Sequence, residues 1–200
     1  MDARPPDPPL GDAVVTLRLW RADDVPAIAA ACGEEEIARW LDAIPQPYSE
    51  DDARAYLDLC ETGWREGTSA NFAITDASSG EVLGSIGMRH LGDLEEGTSE
   101  IGYWVKSGSR GRGVATRALM LVSRWAFEGL EISRLQLRAD ELNEPSKRVA
   151  ENVGFTREGV LRSSRYNARQ QRRVDFVMYS LLPGELGRAK GVLKGKEKKR

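Results

Sequence analysis

The chain has 200 residues, 40% of them hydrophobic and 30% charged, enough apolar material for one domain with a proper core. Its 29 basic and 31 acidic residues leave a net charge of −2, so nothing marks a nucleic-acid binder working through global charge. With 2 cysteines far apart, His90 as the only histidine and no apolar run of membrane-span length, neither a structural zinc site nor a transmembrane anchor is expected.

The opening "MDARPPDPPLGD" carries four prolines in twelve residues and lacks the apolar segment of a secretory signal. Residues 1–12 read as disordered, residues 13–183 as the folded domain and residues 184–200 as a disordered basic tail. A cytoplasmic location is expected, with Cys32 and Cys60 reduced and carried on helices. From Arg188 onward seven basic residues face one acidic residue, Glu197. That tail has two readings, a solvated end or a contact with RNA or the ribosome.

In chain order, "VVTLRLW" (14–20) alternates like a half-buried strand. Asp23 and Asp24 supply helix-start chemistry before "VPAIAAAC". "IPQPYSEDDARAYLDLCETGWREG" (44–67) turns, caps at Ser49 and continues as a helix with Ala53, Tyr56, Leu57 and Cys60 on one face, ending at Gly63 or Gly67. "NFAITDA", "EVLGSIGMRHL" and "TSEIGYWVK" are three strands, the first two joined by the hairpin turn "SSGE". After them "VKSGSRGRGVATRALMLVSRWAF" (105–127) passes a glycine turn and enters a helix whose apolar face holds Val114, Leu119, Leu121, Val122, Trp125 and Ala126. Strand "SRLQLRA", helix "NEPSKRVAENV" and strands "FTREGVLRSSR" and "RRVDFVMYSLL" complete a mixed sheet flanked by helices.

The turn is where chemistry concentrates. Between a strand and a helix it presents unpaired N–H groups at the positive end of the helix dipole. Glycines let that backbone approach a phosphate, and Arg110 and Arg112 add charge that can chelate it. A Walker loop needs Gly-Lys followed by Ser or Thr, yet Gly113 precedes Val114 and Ala115. A dinucleotide fingerprint needs a βαβ context, which antiparallel strands do not provide. A turn that only lets the helix pack close to the sheet is the alternative.

Arg110-Gly111-Arg112-Gly113-Val114-Ala115 resembles the pattern Arg/Gln-x-x-Gly-x-Gly/Ala that binds the coenzyme A pyrophosphate in the GNAT N-acetyltransferase superfamily. "TLRLWRADD", "EIGYWV", "NEPSKRVAENVGFTREGVLR" and Asp175 in "VDFVMYSLL" resemble, in order, segments of its ribosomal-protein N-terminal (Rim-type) branch. The resemblance spans roughly residues 14–183. It implies an α/β (α+β) fold with a mixed, mostly antiparallel sheet of about seven strands, splayed between the fourth and fifth.

It further implies acetyl-CoA as acyl donor and a primary amine as acceptor, either a protein N-terminus or a small amino compound, attacking the thioester directly. Tyr103, Trp104 and Val105 would pair with the pantetheine through their backbone, while Arg110, Gly111, Arg112, Gly113, Val114, Ala115 and Thr116 would hold the pyrophosphate. Asn143 would contact the pantetheine and Ser146 would serve the leaving thiolate. The tyrosine acid of many relatives is absent, since Ala150 stands there.

Glu100 is the first candidate for a general base acting through water, with Glu158 a weaker one that an arginine could instead claim. An α-amine of pKa ~7.8 needs roughly 1 kcal/mol to lose its proton at pH 7, a lysine of pKa ~10.4 roughly 4.6 kcal/mol, so a modest base suits the former. Trp40, Tyr48, Glu100 and Arg162 are the candidate acceptor contacts. Tyr56 reads as core, and Trp64 stands beside it as an aromatic of the same helix. Arg162, Arg165, Arg169, Arg172 and Arg173 form either a basic rim for an acidic acceptor or ribosomal RNA, or an exposed hairpin. Two alternatives stay open: another acyl-CoA such as succinyl-CoA, or a CoA-binding or RNA-associated module without turnover. The sequence leaves dimerisation undecided.

Overall fold

In a computed structural model, which describes residues 4–41, 44–91 and 97–187, alternating strands assemble into one eight-stranded sheet. The elements are β1 (Leu10–Gly11), β2 (Val15–Arg18), α1 (Val25–Cys32), α2 (Glu35–Trp40), α3 (Glu50–Glu66), β3 (Ser69–Asp76), β4 (Val82–Arg89), β5 (Thr98–Val105), α4 (Val114–Gly129), β6 (Arg134–Asp140), α5 (Glu144–Val153), β7 (Thr156–Asn167) and β8 (Arg172–Leu181). The order across the sheet is β1-β2-β3-β4-β5-β6-β8-β7, and β5–β6 is its parallel contact.

The eighth strand is the short β1, paired with Leu17 and Thr16; it lies inside the segment read as disordered. At the other end Leu186 packs on the core and the Gly187 N–H donates to Val153 O, so the chain is held through residues assigned to the tail. The seven basic residues from Arg188 onward lie outside the described residues.

Local chemistry accounts for the helix ends. Ser49 accepts from the Asp52 N–H while Asp52 accepts from the Ser49 N–H, a capping box that starts α3. Gly67, at φ 67°, ends it, whereas Gly63 stays inside the helix. Asp24 does not cap α1 with its side chain. Its carboxylate instead takes a bidentate pair from Arg18 at 2.7 and 2.9 Å and a bond from the Arg21 N–H. Burial pushes its pKa up, but Arg18 and Arg21 outweigh that and the net direction is down. Cys32 and Cys60 are free, buried and on helices.

Two apolar clusters flank the sheet. Val114, Ala118, Leu119, Val122 and Ala126 of α4 join Ile86, Met88, Ile101 and Leu137, with Tyr103 and Val105 packed against them. On the other side Val25, Ile28, Cys32 and Ala53 gather Trp20, Tyr48, Tyr56 and Trp104. Alternation along β5 therefore sends Tyr103 toward α4 and α5 and Trp104 toward α1 and α3.

One departure from regular pairing creates a cleft. β4 accompanies β5 to Val105, opposite Gly84, but β6 pairs with β5 only at Thr98, Ser99 and Glu100. Beyond Glu100 the strands part, leaving the β6-facing edge of residues 101–105 without strand partners in the middle of a sheet. This is the splay expected between the fourth and fifth strands; β1 shifts the numbering by one.

Candidate active site

At one mouth of the cleft lies the glycine turn. A short 3-10 turn at Ser107–Ser109 follows β5, and Gly111 and Gly113 then take φ of 72° and 75°, a region where other L-residues are strained. Gly113 sits at the start of α4 and no side chain caps that helix, so its first N–H groups face outward with the positive end of the dipole. Arg112 is exposed and, among the described residues, makes no hydrogen bond or ion pair. Arg110 behaves differently. Its Nε donates to Val105 O at 2.9 Å, and its guanidinium pairs with Glu34 at 3.4 Å and also with Glu36. Glu34 in turn accepts from the Ser107 N–H at 3.1 Å. Arg110 thus braces the turn against the start of α2.

Inside the cleft a cavity of about 370 Å³ is lined from both parting strands, by Glu100, Ile101, Gly102 and Tyr103 on β5 and by Leu137, Arg138, Ala139 and Asp140 on β6. That volume is in the range of small-ligand sites. Two links span the gap, one on each face. Toward α5 the Tyr103 hydroxyl lies 3.0 Å from the Ser146 hydroxyl, either oxygen serving as donor, and donates to Ser146 O at 3.2 Å. Burial pushes the Tyr103 phenol up to about 12, the bond with Ser146 pulling the other way. The cap of α5 is Asn143, whose Oδ1 accepts from the Ser146 N–H at 3.1 Å. The Ser146 hydroxyl is therefore not spent on capping, and Ala150 is fully buried in the core.

On the opposite face Glu100 joins β5 to β6 and β4. Its Oε2 lies 2.7 Å from Arg138 Nη2 and its Oε1 3.1 Å from Arg89 Nη2. Gly102, next along this face, leaves open space over which the Arg89 guanidinium lies; a Cβ there would sit 3.9 Å from Arg89 Nη2. Trp40, Arg165, Asn167 and Phe176 complete the wall. Asp140 lines it too, but accepts from the Leu142 N–H at 2.9 Å and pairs with Arg172 at 3.5 Å.

Of the acceptor-side residues read from sequence, the fold brings Glu100 and Trp40 to the cavity and leaves Tyr48 and Arg162 out of its lining. Tyr48 packs in the α1–α3 cluster, its hydroxyl bonded to Asp52 O at 3.3 Å. Arg162 is exposed, while Arg165 reaches the wall because β7 bulges between Leu161 and Arg165. Ser163 sits at φ 51° there, its N–H held by Asp175 at 2.7 Å. Glu158 pairs bidentately with Arg134 at 2.9 and 2.6 Å and accepts from Ser180 at 2.7 Å.

Within the arginine-rich hairpin Arg162, Arg165 and Arg173 are exposed, while two of the arginines also hold backbone. Arg169 donates to the carbonyls of Ala38, Leu41 and Ile44, and Arg173 to Ser163. Arg169, with Asn167 and Gln170 bonded to Arg39 O, fastens the tip of the hairpin to α2. Tyr56 and Trp64 pack as core aromatics, through Ser85 and Asn71 respectively. Arg89 and Arg138 escaped sequence reasoning. Each is a lone charge at a strand position, and only the register with Glu100 joins them. Among the described residues no cluster is suited to a metal ion and no helix is long and apolar enough to cross a membrane.

Comparison with known proteins agrees with this geometry. Residues 15–156 match the family described as acetyltransferase (GNAT) domain. Uncharacterized N-acetyltransferase p20 of Bacillus licheniformis is 27% identical over 171 residues, covering 86% of this chain and 94% of that protein. The Bacillus subtilis (strain 168) protein named "Putative ribosomal N-acetyltransferase YdaF" is 30% identical over 176 residues, covering 86% and 92%. In fold, Mycobacterium smegmatis RimJ, solved in complex with CoA-disulfide, matches at a TM-score of 0.77 and 23% identity, covering 88% of this chain and 86% of that one. The relative named as a ribosomal N-acetyltransferase is similar along most of its length, and the family match settles the membership: the chain belongs to the GNAT N-acetyltransferase family.

Proposed function

We propose that the protein transfers the acetyl group of acetyl-CoA to a primary amine, a protein α-amine or a small amino compound, by direct attack. The observation that carries this reading is the cleft itself. An unpaired strand edge at 101–105 runs from an uncapped helix N-terminus at Gly113 to a cavity with a hydroxyl pair on one face and a carboxylate on the other.

Backbone groups of Tyr103 and Val105 alternate onto the open edge, those of Trp104 facing β4, and suit an extended amide-bearing arm that would add there as a peptide does, beside the Arg110 bond to Val105 O. N–H groups of Gly111, Gly113, Val114, Ala115 and Thr116, with the Arg112 guanidinium, suit a pyrophosphate. Arg110 supports the turn rather than reaching the anion, and Asn143 shapes the start of α5 beside the arm. When bound, acetyl-CoA supplies the activated acetyl carbonyl and a thiolate leaving group.

Ser146 Oγ is the proton donor to the departing sulfur. Tyr103, whose phenol stays protonated at neutral pH, steadies the serine oxygen as that proton leaves. Glu100 takes the proton of the attacking amine through water. Each of its oxygens has one arginine partner and keeps an acceptor direction for water. A second arrangement, with succinyl-CoA as donor, draws on the same two arginines, which could hold a distal carboxylate.

The test is thiol release from acetyl-CoA and succinyl-CoA with a panel of amines. Release with acetyl-CoA is expected, and Ser146→Ala and Glu100→Gln should each lower kcat by about 100-fold. Binding of acetyl-CoA with no release from any amine would leave a CoA-binding module in place of an enzyme.

A further inference from the structure

Resting on the acyltransfer reading, we infer that the acceptor carries an anionic group, a carboxylate or phosphate, close to its reactive amine, and that Arg89 and Arg138 hold it. Among the described residues, two guanidiniums share the single carboxylate of Glu100, and both line the cavity. Asp140, the other acid of the lining, is engaged by the Leu142 N–H and Arg172, so it does not offset the surplus. Arg165 lines the same wall, but the inference rests on Arg89 and Arg138.

The surplus is reachable. The side chains of Arg89 and Arg138 are 62% and 41% exposed, against 13% for the glutamate between them. Planar guanidiniums bind carboxylate and phosphate in a fork, and the space over Gly102 gives an anion room beside Arg89. The same charges disfavour a protonated amine nearby, which helps present it neutral for attack.

An anion on the acyl donor is the other source of this chemistry. It is disfavoured by sidedness: the glycine turn leads into the α4 side of the sheet, whereas Glu100 and its arginines alternate onto the face that carries Trp104, beside α1 and α3.

Isothermal titration with paired probes tests the inference without needing turnover. The pairs are O-phosphoethanolamine against ethanolamine, and the dipeptide amide Ala-Asp against Ala-Asn, each with the protein saturated by acetyl-CoA or by CoA. The anionic member should bind at least about tenfold more tightly, and the phosphate and carboxylate pairs tell the two anions apart. Arg89→Gln, a largely exposed change, and Arg138→Gln should each erase most of that difference, while Arg138→Lys keeps part of it.

Equal binding of both members of both pairs overturns the inference, whatever the turnover. So does a preference for succinyl-CoA over acetyl-CoA that the arginine variants remove while acceptor pairs bind alike. Thiol release, read in parallel, bears on the acyltransfer reading alone: retained discrimination without release counts against that reading and leaves the anion site standing.

Discussion

The two faces of the cleft are built in opposite ways. On the α4 face nearly everything comes from one run of chain, the turn from Val105 to Thr116, plus the single cross-gap pair Tyr103–Ser146. On the α1–α3 face the wall is gathered from Trp40 on α2, Arg89 on β4, Glu100 on β5, Arg138 on β6 and Arg165 on β7. On the proposed reading, a turn contiguous in sequence would recognise a chemically constant group, a pyrophosphate. A wall assembled from several elements can change one residue at a time without disturbing the turn. Donor binding and acceptor binding should therefore fail separately.

The sharpest break is Gly113→Glu. It puts a side chain at φ 75° and a negative charge where the helix dipole favours an anion, so acetyl-CoA affinity should fall by 100-fold or more, ~2.7 kcal/mol. Gly113→Asn, uncharged and tolerant of that φ, should keep much of it. Acceptor probes should bind both variants as they bind the wild type.

Asp24→Asn strikes the scaffold of the other face. It leaves Arg18, whose side chain is only 13% exposed, without its charged partner, at a cost of about 2 kcal/mol measured by urea unfolding at neutral pH. Because the Asp24 pKa is lowered in the folded state from its ordinary 3.8, its contribution is present above that value and lost as pH falls through the folded one. The gap between wild type and variant should close in that acid window.

Tyr103→Phe removes one hydroxyl from the cross-gap pair and should lower kcat by about tenfold with the KM for acetyl-CoA little changed. An equal fall in affinity would make Tyr103 a binding residue instead. Glu158→Gln should matter least. Arg134 and then Ser180 hold that carboxyl below its ordinary range, yet the pair is partly exposed and stability should drop by no more than about 1 kcal/mol. Unchanged kcat would remove Glu158 from the list of bases.

The same contrast explains what was legible in the sequence. Glycines that need positive φ, a helix dipole and an amphipathic face are local features, so Gly111, Gly113 and the buried stripe of α4 could be read along the chain. Strand-like runs marked the seven longer strands, and the family resemblance alone implied the splay. Long-range register could not be read. Arg89 and Arg138 are far apart in sequence, and only strand pairing delivers both to Glu100. Arg162 looked like the acceptor contact until the β7 bulge, four residue steps against two on β8, brought Arg165 to the wall instead. The bracing of Arg110 was hidden for a related reason: its charge was plain, but its partners Glu34 and Glu36 lie at the start of α2, more than seventy residues earlier.

If the glycine turn holds the pyrophosphate of an acyl-CoA at the mouth of the cleft, a negative charge placed in it must abolish binding. Isothermal titration of acetyl-CoA into the folded wild type and Gly113→Glu, side by side, tests it most directly. Saturable 1:1 binding to the wild type that disappears in the variant is the predicted result. No heat from folded wild type, or equal affinity in both, would contradict the account.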